Sequence, residues 1–288
     1  MRAMQPAILV AGEFLDHREF DSFANHYLSG FANVQFGSVN LLADNRLGGQ
    51  LIRCRNFERD FARLVNAYDC LITCSQKHWL KNCTDVADKS ELIGFELCYE
   101  PADNYRWYLM GKHPEEETSS KQTLCLTVRN FYPLTSKYTS SQWIEACERE
   151  TRRVERLLQY CRELVELLTL CEPDRLPFDA LKAQLIGQKE FRVGVGTASG
   201  STRSIDATSK AIKQSRCEGH AAVLVAAVYG RNISRREKDD IHHQLVGLRK
   251  DKATPLHILF QEKFQQADAL KVVVLAAGPE MAGTGTAI

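Results

Sequence analysis

The run SQWIEACERETRRVERLLQYCRELVELLTLC, residues 141 to 171, constrains this chain more than any other segment. Trp143, Cys147, Val154, Leu158, Cys161, Val165 and Leu168 recur at helical spacing, while Glu145, Arg149, Arg152, Arg156 and Glu163 fall on the opposite side. An apolar stripe backed by charges is the pattern of an amphipathic helix, and its charged face reads as solvated. About thirty residues rising 1.5 Å each give a rod of about 45 Å, long enough to cross a whole domain. The spacing therefore predicts a spine between two halves of the chain, ending at Pro173, whose ring cannot continue a helix interior.

Ahead of the spine, residues 7 to 132 read as a compact α/β region. AILVAG (7–12) and DCLITC (69–74) are short buried strands, and VQFGSVNLL (34–42) and QLIRC (50–54) are strands around Gly48-Gly49. HREFDSFANHYLSGF (17–31) and FERDFARLVNAY (57–68) carry helical stripes, through Phe20, Phe23, Ala24, Tyr27 and Leu28 in one and Phe57, Phe61, Leu64, Val65 and Tyr68 in the other. IGFELCYE, YRWYLMG and TLCLTVRNFY are three further predicted strands, with the polar KHPEEETSSK (112–121) as an exposed loop between the last two.

Beyond the spine the order becomes β-α-β-α-β-β. FRVGVGTASGSTRSIDATSKAI (191–212) reads as a strand, a glycine turn and a helix beginning near Ser201 or Thr202. Gly194, Gly196 and Gly200 form G-x-G-x-x-x-G, one residue longer than the dinucleotide-binding fingerprint and far from the first βα unit where that fingerprint works. The unbroken apolar run AAVLVAAVYG (221–230) predicts a central strand covered on both faces. Ser234 and Glu237 have capping-box spacing at the head of SRREKDDIHHQLVGL (234–248). TPLHILFQEKF (254–264) and ALKVVVLAAG (269–278) complete a small sheet, and residues 279–288 read as a tail.

A formal charge of +1 over 288 residues gives no electrostatic case for nucleic acid or an anionic membrane. No apolar run reaches the ~18 residues of a membrane span, and the N-terminus leads into a strand rather than a signal peptide. The ten cysteines contain no C-x-x-C pair, and most, such as Cys98, Cys125, Cys147 and Cys161, lie in apolar patterns where a thiol behaves as a small hydrophobe. That usage suggests a reducing cytoplasm rather than a disulfide framework, and the spacing predicts no metal site. An enzyme of other chemistry has only His78, the His242-His243 pair and His257 as hints, and neighbouring helical residues point about 100° apart, a poor geometry for sharing a metal.

In order and spacing, the end of the spine, an F-D loop, the glycine strand–turn–helix with Arg203 and Ala207, and the final strand resemble the bacterial division protein FtsZ and its tubulin-like relatives over Leu164 to Gly278. The resemblance implies a tubulin/FtsZ-like α/β fold: a reduced Rossmann-like N-terminal domain (1–140), a long central helix (141–172) and an α+β C-terminal domain with a four-stranded sheet (173–278). It also implies that the glycine turn serves packing and backbone geometry in the C-terminal sheet, away from nucleotide.

Family members hold GTP phosphates on a G-G-G-T-G-T-G loop, but the matching segment here, SQKHWLKNCTD (75–85), has no glycine. The first strand ends with Gly12 alone, beside Glu13. The family's N-x-D-x-x-D hydrolysis loop falls on Arg175, Pro177 and Ala180, with Asp174 and Asp179 close by. The resulting expectation is a pseudo-GTPase without cofactor, a cytoplasmic interaction protein of a bacterial division system. Its partner would be a protein, such as an FtsZ-type filament or a second copy, met through the altered loop at Asp174, Arg175, Asp179 and Lys182. The alternatives are a structural scaffold that associates with itself or binds a partner unrelated to cell division, and after it a divergent GTP-binding protein.

Overall fold

A computed structural model describes residues 5–12, 17–38, 45–74, 93–100, 104–110, 155, 158–159, 161–171, 176–185, 188, 190–215, 221–262 and 268–278. Two compact units divide the chain at Arg162 and Glu163, with residues 1–5 grouped with the second. The expected strand at 123–132, the loop at 112–121 and most of the 141–171 helix lie outside the described residues, as does the 279–288 tail.

In the N-terminal unit, β1 (Ile8–Gly12) runs parallel to both β2 (Val34–Ser38) and β5 (Cys70–Cys74). Parallel β6 (Ile93–Glu100) follows β5, and β7 (Asn104–Met110) pairs antiparallel with β6. β1 and β5 are buried along their whole length, as strands covered on both faces must be. Helix α1 (His17–Leu28) makes the crossover from β1 to β2 and buries Ala24 and Leu28.

Helix α2 (Phe57–Val65) buries Phe61, Leu64 and Val65 against Leu9, Ala11 and Leu71. It stops three residues earlier than its sequence stripe suggests, yet Tyr68 still packs on the same cluster. The hairpin around Gly48-Gly49 also differs from expectation. Its arms are the short β3 (Asn45–Leu47) and β4 (Gln50–Ile52), not 34–42, because both glycines take positive φ (56° and 79°), the conformation of a tight two-residue turn.

In the C-terminal unit, β8 (Glu190–Ser199) is antiparallel to β11 (Ala269–Gly278). β11 is antiparallel to β9 (Val223–Gly230), and β9 is parallel to β10 (Leu256–Gln261). This is the expected four-stranded sheet, and β9 is buried at every residue, as its apolar run predicts. Leu224, Ala226, Val228, Val272 and Val274 form its core with Ala207, Ala211, Ile241 and Leu245 of two covering helices, α4 (Arg203–Ser215) and α5 (Arg235–Val246). The capping box is present at the head of α5, with Ser234 and Glu237 each satisfying the other's backbone N–H.

Residues 161–169 are helical, and Cys161, Val165 and Leu168 are buried as the stripe predicts. Its solvated-face reading fails at Glu163, which is largely buried and ion-paired with Lys271 of β11. The periodicity could not see that an ammonium group 108 residues later would make burial of this carboxylate tolerable.

Candidate functional site

In an open parallel sheet, ligands settle beyond the carboxyl ends of the strands where the chain reverses its direction of winding. Here the chain passes from β1 to β2 on one side and returns to β5 on the other, so the reversal lies between β1 and β5. Their last residues, Gly12 and Cys74, are paired in register and mark the carboxyl ends of the two strands at that reversal. The segments leaving them, 13–16 and 75–92, lie outside the described residues. Cys74 is fully buried, and its thiol lies 2.8 Å from that of Cys161, also fully buried. Burial, reinforced by the hydrogen bond to Cys161, pushes the Cys74 thiol well above its ordinary pKa.

The glycine turn is closed to a ligand. A Cβ on Gly194 would stand 2.0 Å from the Ala211 carbonyl oxygen, and one on Gly196 would stand 1.9 Å from that of Ala207. Both glycines exist so that α4 can lie directly on β8, and the matching face of α4 is small for the same reason: Ser204, Ala207, Thr208, Ala211 and Ser215. Gly200 has open space around it but a φ of +92°, which is the demand of the turn itself. Packing and backbone geometry, not phosphate binding, account for all three, as the resemblance implied.

Asp174 and Arg175 lie outside the described residues. Asp179 and Lys182 stand not on a loop but on helix α3 (Phe178–Leu185), which corrects the expected extent of the F-D loop. The Pro177 carbonyl accepts the Leu181 N–H to start the helix, and Leu181 and Leu185, four apart, bury one face. Asp179 is exposed in the first turn and Lys182 half-buried in the last, so each complements the helix dipole. The two side chains thus place one anion and one cation on α3. On the same helix, Gln184 Oε1 meets His257 Nε2 of β10 at 2.9 Å, and burial lowers the His257 pKa.

His242 and His243 are exposed, with ring centroids 6.1 Å apart, and His78 lies outside the described residues. No group of three or more His, Cys, Asp or Glu able to hold a metal occurs among the described residues. No described helix is long and apolar enough to cross a membrane.

Two polar clusters escaped the sequence reading. Lys271 bonds both Glu163 and Glu166, the latter at 2.8 Å, and its ammonium lies 5.7 Å from the centre of the Tyr229 ring. Burial first, then these two carboxylates, push the Tyr229 phenol upward. The one sequence signal was a lysine inside the apolar ALKVVVLAAG. In the second cluster Arg203 Nε donates to Glu237 at 2.6 Å, and Arg203 Nη2 donates to the carbonyls of Arg231 and Asn232. It thereby pins the β9–α5 turn, where Asn232 holds a φ of 52°.

By sequence the chain matches no protein-family model and no curated protein. By structure it aligns with a variant of FtsZ from M. jannaschii at TM-score 0.62 and 11% identity, over 96% of this chain and 92% of that one. TubZ from Bacillus thuringiensis serovar israelensis, solved as GDP-form protofilaments, aligns at TM-score 0.54 and 11% identity, over 95% of this chain and 84% of that one. CetZ from Methanosaeta thermophila aligns at TM-score 0.54 and 12% identity, over 95% and 87%. The fold is tubulin/FtsZ-like, with a parallel sheet in its N-terminal part and a four-stranded mixed sheet in its C-terminal part.

Proposed function

We propose that this chain is a non-hydrolysing, FtsZ- or tubulin-like interaction protein that modulates or caps an FtsZ-type filament or assembles with a related partner. One observation carries the reading: the segment leaving β5 at the sheet's winding reversal, SQKHWLKNCTD (75–85), contains no glycine. A phosphate cradle needs closely spaced backbone N–H groups that bare glycines expose, and Trp79, Lys77 and Lys81 occupy that stretch instead. In the sequence after β1, Glu13 follows Gly12 with a charge that repels phosphate.

The hydrolysis positions implied by the resemblance hold Arg175, Pro177 and Ala180, none of which can take a proton from water. A subunit that keeps its C-terminal surface but holds no nucleotide joins a filament at one end only. Added to FtsZ at equimolar ratio, it lowers the sedimented polymer and the GTPase rate; unchanged values remove the filament reading.

The second reading, a divergent guanine-nucleotide-binding protein that associates with itself, draws on the GDP-form protofilaments of TubZ. Calorimetry with GTP and GDP separates the two. Heat of binding favours the second, and its absence alongside capture of FtsZ favours the first. A pull-down that returns another protein instead identifies a scaffold unrelated to division.

A further inference from the structure

We propose that Cys74 and Cys161 are a disulfide-forming pair, closed by a peroxide and reopened by a dithiol, that latches the carboxyl end of β5 to the helix carrying Cys161. Their sulfurs stand 2.8 Å apart as free thiols, 87 residues apart in sequence. Even carbon atoms rest at about 3.5–4.0 Å in ordinary contact, and a disulfide needs about 2.05 Å, so bond formation asks for a closure of under about 1 Å. Neither partner reaches this position by chance of a mobile loop. Cys74 is the last residue of a ladder paired to Gly12 on one side and Leu97 on the other, and Cys161 belongs to the helical residues 161–169. Cys171, comparably buried, makes no sulfur contact among the described residues, so burial alone does not produce such a pair.

The chemistry balances with a peroxide as oxidant. One thiolate attacks a peroxide oxygen, the O–O bond breaks, and a sulfenic acid and water result, with the thiol proton carried to the leaving oxygen. The second sulfur then attacks the sulfenic sulfur, forming the S–S bond and releasing a second water. Two thiols are oxidised by two electrons and one peroxide is reduced. Complete burial keeps oxidant out and the Cys74 thiol protonated, so the first step waits on local opening at the end of β5. The same burial shields the finished bond from reductants, which makes the pair a slow, persistent latch rather than a rapid sensor. The latch joins β5 to the helix carrying Cys161 whether or not the chain meets a filament.

The test uses the full chain, treated with hydrogen peroxide, quenched with N-ethylmaleimide, then denatured and digested without reductant for mass spectrometry. The expected result is a peptide pair joined through Cys74 and Cys161, two hydrogens lighter than the separate peptides. It should be missing from Cys74→Ser and Cys161→Ser and abolished by dithiothreitol. Hydrogen exchange of the wild-type chain adds a measurement that needs no variant: β5 amides exchange at least tenfold more slowly after oxidation. Recovery of both cysteines as maleimide adducts after exhaustive oxidation overturns the proposal. So does a bond from either one to a different cysteine, or a Cys74–Cys161 link that appears only when the chain is oxidised in denaturant.

Discussion

The contact between Arg203 and Glu237 allows a quantitative test of how the C-terminal unit is held, through Glu237→Gln. The hydrogen bonds from Arg203, aided by the Ser234 backbone and hydroxyl, hold the Glu237 carboxyl at a pKa of about 2, against an ordinary 4.5. That difference of about 2.5 units, at about 1.36 kcal/mol each, sets a ceiling near 3 kcal/mol. Both side chains keep some contact with water, 12% and 16% exposed, so screening reduces the expected value to about 1–2 kcal/mol.

Glutamine is itself a capping-box residue, so the substitution removes the charge and leaves the cap in place. The assay is hydrogen exchange of the α5 and β9–α5 amides, corrected for intrinsic rates, where 1–2 kcal/mol is about a 5- to 30-fold loss of protection. The sign follows from the direction of the shift. A depressed carboxylate pKa stabilises above the unfolded value of about 4.5, and that stabilisation fades as pH falls toward about 2. The gap between wild type and variant should therefore be full at neutral pH and more than half gone by about pH 3. Protection that changes less than about twofold at neutral pH, or a gap equally wide at about pH 3, would refute the ionic account and leave only the cap.

Gly196→Ala drives a methyl group into the Ala207 carbonyl, a backbone atom that cannot swing aside, and should cost about 3 kcal/mol or more in urea unfolding. Gly200→Ala meets open space and should cost only about 1 kcal/mol for its positive φ, so equal costs at the two positions would count against close helix–strand packing. Lys271→Met leaves Glu163 and Glu166 facing each other without their ammonium. The expected loss is about 2–4 kcal/mol, below that of a fully enclosed pair because Lys271 stays partly exposed. A Glu166→Gln, Lys271→Met double variant should recover part of it, and strict additivity in the urea midpoints would show that the groups do not interact.

What the sequence determined alone is what repeats along the chain at short range. The apolar run of β9 requires a doubly covered strand, Ser234 and Glu237 three residues apart require a cap, and Leu158, Cys161, Val165 and Leu168 require a buried helix face. Each follows from the period of an element or from contacts within one turn. The order of elements around the glycine turn extended that to a fold, because such an order is rarely reached twice by chance. Short-range pattern could not show where long-range partners meet. Glu163 looks like any surface glutamate until Lys271 arrives from β11, and Asp179 reads as part of a loop until Leu181 and Leu185 find a core to bury in. Cys74 and Cys161 each pass for a small hydrophobe until folding brings their sulfurs together. Charge pairing, helix length and thiol chemistry depend on the distance between residues remote in sequence, and only the tertiary structure sets that distance.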